Sequence, residues 1–236
     1  MIAVTFALPS ESSDFVRLLR GQSSTPAGSP ATSDRPRGQK VCVWHTGVGE
    51  KTARIRLESL LREQTPKLLI SSGFAGALSD RLNVGDLLLA ENYSAPALAS
   101  AVRSLPEPFP HVVGRLATAA AMIDTPEDRQ ELARKEKADA VDMETHFISE
   151  ACAAAGVPML SLRVISDSPA APFPVPAHIL FNVEQQRTAF LPLVAHLMRH
   201  PAALGRIISF ARRIAVARKS LARALDILVR SEPLQL

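Results

Sequence analysis

Three acids, Asp142, Glu144 and Asp167, stand beside apolar runs in ADAVDMETHFISEACAAAGVPMLSLRVISD, residues 138–167. A charged carboxylate is costly to bury unless something pairs with it. The stretch is therefore either a well-capped structural turn or a polar site built on strand ends. A fourth acid, Glu11, follows the apolar run of IAVTFALPSE. Two glycine clusters, HTGVGEKTA and SSGFAGAL, each follow a further apolar run, and glycine lets backbone N–H groups approach a ligand closely, above all at a helix N-terminus. Neither has the GxGxxG spacing of a dinucleotide site, and neither is a Walker P-loop. Each feature also has a plain structural alternative: a tight turn for the glycines, a first-turn acid favoured by the helix dipole for Glu11 and Glu144, and a cap on the SDSP turn for Asp167. Perturbed acids at strand ends cluster at functional sites, where a carboxyl gives, takes or holds a proton.

The elements that would position these residues follow from hydrophobic periodicity. Ile2–Leu8, Val41–His45, Lys67–Ser71, Asp86–Glu91, Val112–Met122 and Met159–Ser166 are short runs rich in Val, Ile and Leu and predict strands. Ser10–Arg20, Glu50–Glu63, Pro126–Lys137 and Met143–Ala155 predict helices, the first opened by Ser10 as N-cap and the third by Thr125 before Pro126. Gly156 stops the fourth helix and Val157-Pro158 leads into a strand. The alternation predicts an α/β fold, a three-layer αβα domain around a central mixed sheet, and ligands in such sheets bind beyond the carboxyl ends of the strands. Glu11, Thr46–Gly49, Gly73–Gly76 and Asp167 all fall at those ends. Residues 21–38, GQSSTPAGSPATSDRPRG, predict a flexible surface loop, and residues 94–111, with four prolines, a second loop near the site or a subunit contact.

Composition narrows the function classes. The chain of 236 residues, 47% hydrophobic, is long enough for one large domain with a substantial core. Cys42 and Cys152 lie in apolar segments without a CxxC pair or a histidine cluster, so they predict reduced packing residues of a cytoplasmic protein rather than a disulfide or a metal site. The six histidines are scattered, and His45 and His146, near the motifs, read as packed or surface residues. No window has the roughly 18 uncharged apolar residues of a spanning helix, and a net charge of +4 by itself names no partner, nucleic acid included.

The order of the pieces is more informative than any one of them. AxxxE after the first strand, then TGVGEKTA, SSGFAGALSDRLNVGDLLLA, AVDMETHFI and LRVISD, resembles the purine nucleoside phosphorylase and nucleosidase superfamily, especially its methylthioadenosine/S-adenosylhomocysteine nucleosidase-like branch. The resemblance covers residues 1–91 and 112–168, and VDME with RVISD is its most specific part. It implies cleavage of the bond between ribose C1′ and a purine nitrogen through an oxocarbenium-like transition state. That reaction needs help for the leaving base, polar groups around the ribose and a nucleophile on the opposite face. By resemblance, Asp167 protonates or hydrogen-bonds purine N7, Glu144 binds ribose hydroxyls, Met143 packs on the sugar and Glu11 activates the attacking water. Gly73, Phe74, Met122 and Ser166 complete the implied substrate-binding set, with Met122 as a soft wall where the nucleosidases stack an aromatic residue. Ser71 and Phe74 stand where phosphorylases carry a phosphate-binding arginine and serine, so phosphate as co-substrate and water as nucleophile both stay open. No metal or organic cofactor is implied. A homodimer is implied by the family, and a nucleoside-binding protein that has lost its chemistry is the reading of a different class.

After Asp167 comes the proline-rich SPAAPFPVPAHILFN, then two helical stretches divided near Pro201. Over residues 202–231, Arg206, Arg212, Arg213, Arg218, Lys219, Arg223 and Arg230 face Asp226 alone, and Leu204, Ile207, Ile208, Ile214, Leu221, Leu225 and Leu228 recur at helical spacing. Such a helix either docks its apolar face on the domain or lies in a membrane interface rich in anionic lipid. This tail resembles the C-terminal region of squalene- and hopanoid-associated phosphorylases. That resemblance implies a lipid-linked adenine nucleoside, adenosylhopane, as substrate and a peripheral contact with the inner membrane.

Overall fold

In the computed structural model, residues 1–21, 32–34, 40–105, 109–174, 181–182, 187–188 and 203–231 are described. The apolar runs form β1 (Ile2–Phe6), β3 (Lys40–His45), β4 (Leu68–Ala77), β5 (Leu87–Ala90) and β9 (Met159–Asp167). Shorter strands are β2 (Thr32–Asp34), β6 (Val112–Gly114), β7 (Leu116–Thr118) and β8 (Ala140–Asp142). Together they make one mixed nine-stranded sheet ordered β2-β3-β1-β4-β9-β5-β6, with β8 joined to the end of β4 and β7 to β8. Strands β3, β1, β4 and β9 run parallel, so their carboxyl ends share one edge. A separate antiparallel pair, β10 (Phe181–Asn182) with β11 (Arg187–Thr188), lies outside this sheet.

Helices cover both faces. α1 (Pro9–Arg20), α3 (Pro96–Arg103) and α6 (Ala203–Arg230) bury Phe15, Leu19, Leu98, Val102, Leu221 and Leu225 against one face, over Ile2, Val4, Ile70 and Leu162. α2 (Glu50–Glu63) and α5 (Thr145–Ala154) bury Leu57, Leu61 and Ile148 against the other, where Cys42 and Cys152 are packing residues. α4 (Pro126–Glu136) closes the end of β4 through Leu132 and Ala133. The predicted three-layer αβα fold is therefore the observed one.

Several boundaries differ, each for a physical reason. The cluster SSGFAGAL does not leave the strand: it is the second half of β4, paired with β9 at nearly every residue through a register shift between Ala75 and Gly76. The expected loop over 94–111 contains α3, because Pro96 suits a first helical position and Leu98, Ala99 and Val102 share one buried face. Ser10 does not cap α1; Pro9 already begins it, and the N–H groups of Ala7 and Leu8 are taken by the carboxylate of Glu11 instead. The expected strand 112–122 is two strands in different places, β6 on β5 and β7 on β8. The break falls where Gly114 and Arg115 meet Asp139, whose carboxylate accepts from the Arg115 N–H at 3.0 Å and would lie 2.5 Å from a Cβ at Gly114. The helix expected from Met143 starts at Thr145, after the unforeseen β8. Thr125 caps α4 as expected, accepting from the Asp128 N–H at 3.1 Å, and Gly156 ends α5 with φ of 67°. Of the predicted loop 21–38, only Gly21 and Thr32–Asp34 lie within the described residues, and the latter form a strand on β3.

The basic tail splits its two roles along its length. From Ala217 onward α6 is part of the core, with Leu221, Leu225, Leu228 and Val229 fully buried. Arg218 reaches α1, donating to Asp14 at 2.5 Å. Burial pushes the Asp14 carboxyl up, but its bonds to Arg218 and Arg17 outweigh this and hold it below the usual range. The earlier part leaves Leu204, Ile208 and Val216 exposed while turning Phe210 and Ile214 toward the carboxyl edge of the sheet. The helical stretch expected before Pro201 lies outside the described residues. No described helix is long and apolar enough to cross a membrane.

Candidate active site

A cavity of about 410 Å³ opens at the carboxyl ends of β1, β4 and β9. Of the residues singled out in the sequence, Glu11, Phe74, Met122, Met143, Glu144, Ser166 and Asp167 all line it. Gly73 does not: it sits behind Glu11 with φ of 147°, and a Cβ there would lie 3.1 Å from Glu11 Oε2. Its missing side chain lets the Glu11 carboxylate lie against β4.

Two carboxyl groups shape one end. Glu11 Oε2 accepts from the backbone N–H of Ala7 at 3.1 Å and of Leu8 at 3.4 Å. Burial pushes its pKa up to about 7, against the pull of Arg163 and those two N–H groups. Glu144 Oε1 accepts from the Gly49 N–H at 2.9 Å, so the HTGVGEKTA turn, which opens α2 as expected, gives a backbone donor to a side chain of the cavity. Burial first, and then the negative charge of Asp142, push Glu144 up to about 8, with Glu11 adding to the effect.

Asp142 has a different task from Glu144, its neighbour in the same motif. Its carboxylate accepts from the N–H and hydroxyl of Thr145 at the start of α5 and from Thr118 Oγ1 at 2.9 Å. It also pairs with Arg163 at 3.0 Å, both side chains being buried. Arg163 further donates to Ser71 Oγ at 2.9 Å and Thr145 Oγ1 at 2.6 Å. This buried network anchors β4, β9 and α5 to one another and leaves Glu144 free to face the cavity. The sequence reading missed Arg163, although a charge inside the apolar strand MLSLRVISD had to have a buried partner.

At the other end stands a second buried ion pair. Asp167 accepts from Arg129 through Oδ2 and from Ser166 Oγ through Oδ1 at 2.6 Å, and Arg129 also donates to the Ala77 carbonyl at 2.7 Å. Both charged side chains are at most 3% exposed. A Cβ on Gly76 would come within 3.0 Å of Asp167 Oδ2 and 3.4 Å of Arg129 Nη1, so a larger residue there would push the pair off the cavity floor. Arg129 was not foreseen because it lies in PEDRQELARKE, where charges on an outward-looking helix give no sign of which one turns inward. Among the described residues that line the cavity it is the only basic one.

The remaining wall is apolar. Phe74, Met122, Ile123 and Met143 line its body, and Phe173 and Phe210, with ring centroids 5.7 Å apart, stand with Ile214 where α6 borders it. His45 is not part of it: its Nε2 is 2.8 Å from Ser12 Oγ, and burial followed by the charge of Arg56 pushes its pKa down. His146 is exposed beside Glu150.

Comparison with known proteins bears on the fold and the family. Over a 157-residue alignment the chain is 28% identical to the 5′-methylthioadenosine/S-adenosylhomocysteine nucleosidase of Staphylococcus aureus (strain MRSA252), covering 55% of this chain and 69% of that one. The fold matches the futalosine hydrolase of Helicobacter pylori strain 26695 with a TM-score of 0.70 at 17% identity, over 97% of each chain. It matches the 5′-methylthioadenosine/S-adenosylhomocysteine nucleosidase of S. pneumoniae, solved with a transition-state inhibitor, with a TM-score of 0.68 at 17% identity over 98% of each chain. The profile of the phosphorylase superfamily matches residues 2–97 and 91–199, and with the fold and the order of its motifs in agreement, the chain belongs to the phosphorylase superfamily.

Proposed function

We propose that the protein is an enzyme that hydrolyses the C–N glycosidic bond of a purine nucleoside. The observation that carries this reading is one cavity holding Glu11 and Glu144 toward one end and Asp167 toward the other, in a chain of this superfamily. In it, Glu144 and Met143 hold the ribose while Asp167 stands on the side of the base. The C1′–N bond breaks with its electron pair going to the base, and the oxygen of a water forms the new bond to C1′. Glu11, as carboxylate, takes a proton from that water and returns it to solvent after turnover, while a proton from solvent reaches the base by way of Asp167 so that it leaves as neutral purine.

Water is favoured over phosphate by the charges. Arg163 is engaged with Asp142 and Arg129 with Asp167, so a phosphate dianion would enter beside Glu11 and Glu144 and meet no uncommitted cation among the described residues that line the cavity. The expected result is base release at the same rate with and without phosphate, yielding a free sugar. Strict phosphate dependence with a sugar 1-phosphate as product would replace hydrolysis by phosphorolysis.

The finer reading concerns the far end of the nucleoside. Phe173, Phe210 and Ile214 make the border with α6 apolar, which suits an extended apolar 5′ substituent, and adenosylhopane has one. The exposed Leu204, Ile208 and Val216 among Arg206, Arg212 and Lys219 support a peripheral contact with an anionic membrane. Deleting the helix would remove core residues, so its outer face is the place to intervene. Ile208→Glu with Val216→Glu is expected to reduce cosedimentation with vesicles containing anionic lipid by tenfold or more, while turnover of a water-soluble nucleoside stays the same. Unchanged cosedimentation would refute the contact.

A further inference from the structure

The first half of α6 is apolar on two sides and is weakly held. Of the five large apolar side chains that stand exposed among the described residues, three are on it, Leu204, Ile208 and Val216. On its other side Phe210 and Ile214 line the cavity, the Phe210 ring lying 5.7 Å from that of Phe173. No residue from Leu204 to Val216 is fully buried, whereas Ala217, Leu221, Ala222, Leu225 and Leu228 sit in the core. Polar ties to the body begin at the same boundary, where Arg218 donates to Asp14 Oδ2 at 2.5 Å and to the Ser10 carbonyl at 3.5 Å. Upstream of it, among the described residues, Arg213 donates only to Ser209 of its own helix, at 3.4 Å, and its Nε is buried without a partner. A buried donor left unpaired weakens the position that buries it. A stretch with so few buried contacts belongs to the part of a fold that opens most easily.

We propose that this half-helix is a cover for the cavity that an anionic lipid surface draws aside, so that binding to the surface opens the site to its nucleoside. The inference rests on the purine nucleoside reading and on the membrane contact above. Charge selects the surface: no Asp or Glu occurs from Ala203 to Leu225, where Arg206, Arg212, Arg213, Lys219 and Arg223 accompany Arg218. Apolar side chains set among cations on a helix suit a headgroup boundary, and each basic residue adds attraction to anionic lipid. A ligand shifts an equilibrium only by binding one state better than the other. Here the difference lies in what the helix can offer. Seated on the cavity it presents Leu204, Ile208 and Val216 to lipid; drawn aside, it adds Phe210 and Ile214 and frees Arg213 Nε to meet a lipid phosphate. The buried second half and the Arg218 pair with Asp14 stay in place, so the bend falls near Val216 and Ala217. A mouth opened on the lipid side also admits an amphiphilic nucleoside without its passing through water.

The test is release of base from methylthioadenosine, a water-soluble nucleoside, by the full chain alone and with vesicles of phosphatidylcholine, pure or mixed in equal parts with phosphatidylglycerol. A cover open in about a tenth of the molecules in solution, and in nearly all at the surface, raises kcat/KM roughly tenfold, through KM, with the mixed vesicles only. Ile208→Glu with Val216→Glu should keep the rate seen without vesicles and lose the rise. Phe210→Ala, which removes the ring that rests on Phe173, should move the vesicle-free rate toward the stimulated one. An unchanged rate with mixed vesicles that do sediment the wild type overturns the proposal and leaves the contact and the nucleoside reading standing. A rise that survives in the double glutamate variant, or an equal rise with soluble polyphosphate, overturns it as well. Failure to cosediment removes the membrane contact and this inference with it. Absence of base release from any adenine nucleoside, with or without vesicles, instead removes the nucleoside reading on which the inference rests.

Discussion

Glu11→Gln is expected to slow base release by about 10²–10⁴-fold, the range spanned by a positioned general base, with little change in nucleoside affinity. The amide oxygen can still accept from the Ala7 and Leu8 N–H groups, so the side chain keeps its place and loses only the capacity to take a proton from water. In the wild type, kcat/KM should rise with pH through about 7, where Glu11 gives up its proton. A change in the same profile near pH 8 is expected from Glu144, which burial and Asp142 push up to about 8. Stability moves the other way. A carboxyl whose pKa is raised from 4.5 to about 7 contributes stability in full below the lower value, and that contribution is lost as pH rises through the higher one. Glutamine does not ionise, so Glu11→Gln should be more stable than the wild type at pH 8, on the order of 2 kcal/mol, and not at pH 4. Rate measurements across pH and denaturant melts at the two pH values check both halves. A variant that keeps the wild-type rate would take Glu11 out of the reaction.

Asp167→Asn should remove base release by about a hundredfold or more and, unlike the change at Glu11, destabilise the protein. Arg129 is 3% exposed and would lose its counter-charge. Leaving one partner of a buried pair uncompensated costs roughly 3–5 kcal/mol. The asparagine side chain also removes an acceptor on the base side while introducing a donor beside Arg129. Adding Arg129→Met to Asp167→Asn should recover most of the lost stability, since the orphaned charge goes with it, and none of the activity. Thermal or denaturant melts of the single and double variants, beside base release, separate the two effects. Full turnover by Asp167→Asn would exclude the group from the site, and a double variant no more stable than the single one would show that the ion pair is not the source of the loss.

The degree to which the site was legible depended on how local each signal was. Glu11 and Asp167 could be placed at strand ends because an apolar run followed by an acid is a feature of a few consecutive residues, and their strands, β1 and β9, run parallel on either side of β4; Glu144, expected in the first turn of a helix, instead follows the short strand β8. The second half of β4 was not legible, since Gly and Ser in SSGFAGA favour turns locally and form a strand here because β9 pairs along the whole length. α3 was hidden by the prolines around it, although the spacing of Leu98, Ala99 and Val102 was visible. The separate duties of Asp142 and Glu144 depended on Arg163, Ser71 and Thr118, which come from three other segments.

By itself, the sequence determined the alternation of strands and helices, the edge of the sheet that would carry a ligand and the acids that would stand there. These follow from hydrophobic periodicity and from the high cost of burying an unpaired carboxylate, both of which act over short stretches of chain. Only the tertiary structure decided which charges neutralise one another: Arg163 with Asp142 in the cavity wall, Arg129 with Asp167 at its floor, Arg218 with Asp14 behind it. It also divided the basic tail into a core half and a half that borders the cavity. Ion pairing between residues as far apart as Asp14 and Arg218 depends on distance in space, and buried charges find their partners only when the elements that carry them have packed.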